Sequence, residues 1–171
     1  MWYVVQVVGG QEHTVIYQIE KLVDPSTYSS CFIPQYEIKK RYSGVWKYRN
    51  EVLFPGYVFV DSKTPEAFRK ELNKVSRMTK MLHDGSEHFI PLADEEKTII
   101  SAFIGDADHV MKMSEGIIEG DEIVALKGPL MNHTGLVKKI DRHKRLAYLE
   151  IWMCGRRTTI KAGLEIVAKI S

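Results

Sequence analysis

Residues Leu136–Ile151 read LVKKIDRHKRLAYLEI. Two apolar runs flank a compact basic turn, Asp141-Arg142-His143-Lys144-Arg145, and Lys138 and Lys139 lead into it. Side chains of a strand alternate between the two faces of its sheet. Leu146, Tyr148 and Glu150 therefore share one face, and Ala147, Leu149 and Ile151 the other. The pattern predicts a hairpin that holds a dense positive tip away from a small β domain. Such a tip is either a solvated turn or a ligand site, and composition alone does not choose.

The sequence around the hairpin shows only strands. EGDEIVALKG (Glu119–Gly128) ends at the turn Gly128-Pro129, and His133–Gly135 and Cys154–Arg157 mark further turns. Ile166-Val167 falls in a last strand. About five short strands in roughly fifty residues predict a small barrel. A domain of that size buries only about 60% of its unfolded surface and is marginally stable.

The preceding chain mixes strands with helices. Trp2–Val8 is rich in β-branched and aromatic residues and predicts a strand, ended by Gly9-Gly10. From Gln11 the period changes, and Val15, Ile16, Ile19, Leu22 and Val23 define a helix stopped at Asp24-Pro25-Ser26. Gly-Gly before a helix invites comparison with a phosphate cradle, but the further glycines and the Lys-Ser/Thr pair are missing. Cys31–Lys40 predicts a second strand. Arg41–Asn50 interleaves cations with Tyr42, Trp46 and Tyr48 around a Ser43-Gly44 turn. That mixture suits nucleic acid, where cations follow phosphates and rings stack on bases, and equally an exposed hairpin whose rings lie on lysine stems.

EVLFPGYVFV (Glu51–Val60) is the most distinctive apolar stretch. Pro55 lacks a backbone donor, so Pro-Gly predicts a kink entering a strand. Beyond it Val58 and Val60 face a core, while Tyr57 and Phe59 share the opposite face, to be covered by helices or by a partner protein. Thr64-Pro65 starts a helix with Phe68, Leu72 and Val75 inward. Arg77–Leu82 and His88–Ile90 read as short strands around Asp84-Gly85. A third helix follows Leu92, with Ile99, Ile100 and Phe103 inward, and Val110–Ile118 is a short apolar connector.

The 171 residues suit one medium domain or two small ones, and 44% hydrophobic with 27% charged residues is ordinary for a folded protein. The net charge of +2 demands no polyanion, but it is unevenly placed. Residues 1–113 carry a net −1 and residues 114–171 a net +3. No apolar run reaches the ~20 residues of a membrane helix, and no signal segment opens the sequence. Cys31 and Cys154 lie far apart and read as free thiols of a cytoplasmic protein. The six histidines show no metal-ligand spacing, and no nucleophile, zinc or nucleotide motif is present. The expectation is a protein without cofactor, metal or catalytic residues, not an enzyme.

At this point the chain resembles the NusG family of bacterial transcription elongation factors. The resemblance rests on WYVVQV (Trp2–Val7), the Ile33–Glu37 step, LFPGYVFV (Leu53–Val60), EGDEIVAL (Glu119–Leu126), Gly128–Leu130, TGLVKKID (Thr134–Asp141), GRRTTIK (Gly155–Lys161) and LEIV (Leu164–Val167). It implies an α+β chain. Residues 1–108 would be an NGN domain, an antiparallel sheet with flanking helices. Residues 109–118 would be a linker, and residues 119–171 a KOW domain, an SH3-like five-stranded β-barrel. It also implies docking on the clamp helices of RNA polymerase, through Tyr3, Phe54, Pro55, Tyr57 and Phe59. Arg41–Arg49 would lie near non-template DNA.

General members use the KOW barrel to bind Rho or a ribosomal protein, through a surface that includes an aromatic where this chain has Leu130. Here Arg157, Thr158, Thr159 and Lys161 follow the last Gly-Arg step, and IDRHKRLAYLE resembles the LoaP antiterminators. That implies a specialised, monomeric paralogue for transcription antitermination on selected operons. It would recognise a nascent RNA hairpin through Lys138, Lys139, Arg142, His143, Lys144, Arg145, Arg156 and Arg157. Arg142, Lys144, Arg156 and Arg157 are expected to matter most, and a shared orientation of the two basic turns would form a positive cleft.

Overall fold

Tyr57–Asp61 (β5) is the spine of the first of two packed units. The computed structural model describes residues 1–75, 79–83 and 89–170. Packing groups Met1–Pro34 with Phe54–Lys97, and Gln35–Leu53 with Thr98–Ser171. In the first unit β5 lies inside an antiparallel sheet of order β2-β5-β1-β6, where β1 is Trp2–Gln6, β2 Ser30–Phe32 and β6 Lys80–Met81. Val58, Phe59 and Val60 are all fully buried, as a strand covered on both faces requires.

Register assigns the faces. Val5 pairs with Val58, and Tyr3 and Cys31 pair with Val60. This face meets helix α1 (Glu12–Leu22) and helix α2 (Pro65–Glu71), whose Glu20 and Glu66 act electrostatically on Cys31 and Tyr3. Val4 and Phe32 pair with Phe59 on the other face. There Trp2, Phe32, Phe54 and Phe59 form a ring cluster with centroids 5.0 to 6.2 Å apart. Phe59 therefore has a core on its own face, as Val58 and Val60 have on theirs. Phe54-Pro55-Gly56-Tyr57 is a turn closed by Tyr57 N–H donating to the Phe54 carbonyl at 3.1 Å. Gly56 at φ +86° supplies the positive φ that a type II turn needs after proline.

The expected single strand over Cys31–Lys40 is two strands. Ile33-Pro34 separates β2 from β3 (Gln35–Tyr42), because Pro34 cannot donate to a ladder. β3 belongs to the second unit and pairs with β4 (Val45–Val52) around Ser43 at φ 48° and Gly44 at φ 81°, the two positive φ values of a tight hairpin. β7 (Val110–Met111) adds in parallel to β3. The short strands expected around Asp84-Gly85 fall partly outside the described residues, since Arg77, Asp84, Gly85 and His88 are among those not described. A single bridge joins His83 to Phe89. The third helix is α3 (Asp94–Ile104), with Ile100 and Phe103 buried as expected and Ile99 only half-buried.

The C-terminal strands are β8 (Ser114–Glu119), β9 (Glu122–Lys127), β10 (Val137–Asp141), β11 (Leu146–Met153) and β12 (Arg156–Ile170), in the order β10-β11-β12-β8-β9. Residues 109–118, read as a connector, hold β7 and most of β8. Among the described residues no pair joins β9 to β10, so the pairing is that of a sheet and not of a closed barrel. A short 3-10 turn, Thr134–Leu136, packs against both β9 and β11 in place of a closing pair. Of the two faces that alternation separates, the inward one is Ala147, Leu149 and Ile151, joined by Ile160, Ala162 and Leu164 of β12 and by Leu130.

β12 is one strand of 15 residues rather than several short ones. It pairs antiparallel with β11 up to Gly163 and parallel with β8 from Leu164. At the changeover a Cβ on Gly163 would run into the Glu37 carbonyl and the Met113 side chain. Lacking one, β12 lets the backbone of β3 pass close by, and the Met113 N–H donates to Glu37 Oε1 at 3.1 Å. Gly163→Ala is expected to cost about 1–3 kcal/mol, since backbone rather than a flexible side-chain end must give way. The urea midpoint measures it, and an unchanged midpoint would show that β3 and β12 are not held this closely.

Candidate nucleic-acid interface

The basic tip is a turn between β10 and β11. Asp141 Oδ1 accepts from the Lys144 N–H at 3.0 Å and pins the turn, and Arg145 closes it at φ 55°. Arg142, His143 and Lys144 are exposed, whereas Arg145 is half-buried. Its guanidinium lies 3.7 Å from the ring centroid of Trp46 on β4. Arg145 Nε is 3.6 Å from Glu165 Oε1, and Lys39 Nζ is 3.8 Å from the other carboxylate oxygen. Arg145 thus serves the packing of the tip on the β3-β4 hairpin. Among the described residues Arg142 and Lys144 form no ion pair, so their charges project into solvent.

The second basic turn lies at the far end of β11, which runs from Leu146 to Met153 opposite Gly163 to Arg156. Eight residues at 3.4 Å place the two turns about 25 Å apart. They therefore do not converge into one cleft. What joins them is the outer face of β10-β11-β12. Lys139, Tyr148 and Lys161 form one cross-strand row, and Trp152 pairs with Arg157 in another. Lys139 Nζ lies 5.7 Å from the Tyr148 ring and the Arg157 guanidinium 5.7 Å from the Trp152 ring. Arg157 Nε also meets Glu150 Oε1 at 2.7 Å. Arg156 and Lys138 are exposed, Lys138 beside a bulge in β10.

Trp152, 55% exposed, and Lys161 are part of this face. The sequence singles out Lys161 after the last Gly-Arg step but not Trp152, and Tyr148 is half-buried on the same face. The period-two series Tyr148-Glu150-Trp152 was the signal that could have revealed the face.

The residues expected to meet polymerase do not lie on one surface. Tyr3 is buried on the helix-covered face of the first sheet, and Phe54 and Phe59 are buried in the ring cluster on the other. Pro55 is exposed and Tyr57 half-exposed beside that cluster, so these two offer accessible area. The Gly9-Gly10 step is occupied from within: Gly10 N–H donates to Glu12 Oε1 at 2.6 Å, which places a carboxylate where a cradle would hold a phosphate. Among the described residues no cluster of His, Cys, Asp and Glu fits a metal ion. No described helix is long and apolar enough to cross a membrane.

Fold and surface together define a class: an α+β chain of two units whose projecting chemistry is cations and aromatic rings, suited to binding macromolecules. The chain belongs to the NusG family, whose model, described as transcription termination factor NusG, matches residues 1–101. It is similar over its length to transcription termination/antitermination proteins NusG. The one from Escherichia coli K12 is 23% identical over 180 residues, covering 98% of this chain and 95% of that one. The one from Pseudomonas aeruginosa is 21% identical over 173 residues, covering 99% and 98%. A solved structure on domain interaction in Thermotoga maritima NusG has a TM-score of 0.53 at 23% identity, covering 94% of this chain and 91% of that one. These relatives are named as transcription factors and not as enzymes.

One titration follows from the packing of β3. Burial, then Glu51 and Tyr148, push the Tyr36 phenol from its usual 10 up to about 12. A pKa raised by folding gives stability that is complete below the unfolded value and lost as pH climbs through the folded one. Tyr36→Phe removes that loss, so its stability should fall less steeply than the parent's between pH 10 and 12. Denaturant midpoints across that range test this, and parallel curves would refute it.

Proposed function

We propose that this protein is a specialised transcription antitermination and processive elongation factor. Residues 1–108, as an NGN domain, dock on the clamp helices of RNA polymerase. Residues 119–171, as an SH3-like KOW domain beyond the 109–118 segment, recognise a hairpin in nascent RNA and so confine action to selected operons, as in the LoaP group. The observation that carries this reading is the outer face of β10-β11-β12. It runs from the tip Arg142-His143-Lys144 past Lys139, Tyr148 and Lys161 to Trp152 and Arg157, with Arg156 exposed at the turn beyond, alternating phosphate-neutralising cations with stacking rings. RNA laid along β11 meets both basic turns without a cleft between them.

On the polymerase side, Pro55 and Tyr57 make the contact and the buried Phe54, Phe59 and Tyr3 hold the turn and sheet beneath them. Binding that engages only a closed clamp shifts the polymerase population away from paused states. A second reading is a general factor whose C-terminal strands engage Rho or a ribosomal protein. It draws on Val124 and Leu126 of β9 and Val167 of β12, apolar side chains exposed to solvent. Capture of Rho or a ribosomal protein by the full chain, without affinity for RNA, would favour that reading.

The double variant Arg142→Gln, Lys144→Gln should bind RNA hairpins at least about tenfold more weakly, with a salt slope shallower by about one to two units. Fluorescence anisotropy over a salt series measures both, and an unchanged slope would remove the tip from the interface. Tyr57→Ala should weaken polymerase binding by about tenfold with RNA affinity and stability retained. Phe59→Ala should instead destabilise the fold by about 3–5 kcal/mol. Pull-down and thermal melting separate the two, and full polymerase binding by the Tyr57 variant would refute the docking surface.

A further inference from the structure

Beside the basic tip lies an open groove of about 560 Å³. One wall is the tip, with Arg142, His143 and Arg145, and the other the β3-β4 hairpin, with Arg41 and Trp46. Arg41 and Trp46 are cross-strand partners and so stand side by side across the hairpin. The wall residues come from segments about a hundred positions apart in sequence, brought together because β3 crosses β12 at Gly163. The volume falls within the range of sites that enclose small organic groups.

We infer that this groove is a composite site for unpaired RNA, in which the hairpin and the tip hold the same strand. The inference rests on the RNA reading above and extends it to residues outside the C-terminal strands. Three observations carry it. First, the groove is cationic in effect. Its carboxylate, Glu165, is already met by Lys39 and Arg145, whereas among the described residues Arg41 and Arg142 form no ion pair and are exposed on opposite walls. Two unpaired guanidiniums across a groove suit successive phosphates of one strand. Second, Trp46 is 40% exposed although it already carries Arg145 against its ring at 3.7 Å. A planar guanidinium on an indole leaves flat surface for a base to continue the stack. Third, paired RNA hides its base faces, so a stacking platform at the mouth of a groove selects loops and single strands.

The full chain is tested by anisotropy against a labelled pool of RNA stem-loops with randomised loops, the same stems closed without an unpaired loop, and loop-matched DNA. Trp46→Ala is expected to weaken stem-loop binding about tenfold. Trp46→Phe, which keeps a stacking ring, should restore most of it. Arg41→Gln should lower affinity severalfold and reduce the salt slope by about one. Thiouridine placed in the loop should crosslink to the peptide holding Arg41 and Trp46 as well as to the tip. If Arg142→Gln loses affinity while Trp46→Ala and Arg41→Gln retain it, the composite site is wrong and the RNA reading stands. If the parent chain binds none of the RNAs, both fall. Tighter binding of the loop-matched DNA, or equal binding of the fully paired stems, would overturn the assignment to unpaired RNA.

Discussion

The second unit depends on one close approach of two backbones. β3 can cross β12 only because Gly163 presents no side chain to the Glu37 carbonyl and Met113. That crossing seats a hairpin from early in the chain on strands from its end. It brings Lys39 to Glu165 and Trp46 to Arg145, and it buries Tyr36 deeply enough to raise its phenol to about 12. The strands themselves are ordinary. Gly163 also marks where β12 leaves β11 for β8, so the same residue sets the strand's change of partner and the hairpin's seat.

The crossing sorts the cations by role. Arg145 and Lys39 share Glu165 in partly buried surroundings, where a charge pair is less screened than at an open surface. Arg157 shares Glu150 and lies over Trp152. Among the described residues Arg41, Arg142 and Lys144 form no ion pair and are exposed. Held in place by their neighbours, the partly buried cations contribute shape, while the projecting ones contribute attraction.

Much of this was legible in the sequence, and the failures have physical reasons. Alternation along β11 put Ala147, Leu149 and Ile151 on one face, which is the buried one, since period two survives whatever the surroundings. The Pro34 break was missed because a run of strand-forming residues conceals a single absent donor. What covers Phe59 stayed open, because alternation cannot say how a second face is covered, and an internal strand covers both. The tip was found, but not the commitment of Arg145 to Trp46 and Glu165, which depends on a contact between positions about a hundred residues apart. The face holding Trp152 and Lys161 was readable one strand at a time and becomes a surface only through the pairing of β11 with β12.

A net charge of +2 is small for a chain proposed to hold a polyanion. Net charge is the wrong measure here. Screening limits the reach of a surface charge to about 10 Å at moderate ionic strength, so a strand of RNA senses only the local patch. The surplus of +3 in residues 114–171 is concentrated further, because Glu150 and Glu165 are each occupied by an arginine of the same unit. Their negative charge is met inside the protein, and among the described residues Lys138, Arg142, Lys144, Arg156 and Lys161 form no ion pair. The first unit carries no such surplus, and the accessible part of its Phe54–Tyr57 turn is Pro55 and Tyr57 over a packed cluster of rings. Apolar contact on one unit and charge with stacking on the other respond to salt in different ways. In the function proposed above, the factor stays on its protein partner while its grip on RNA is tuned by ionic strength.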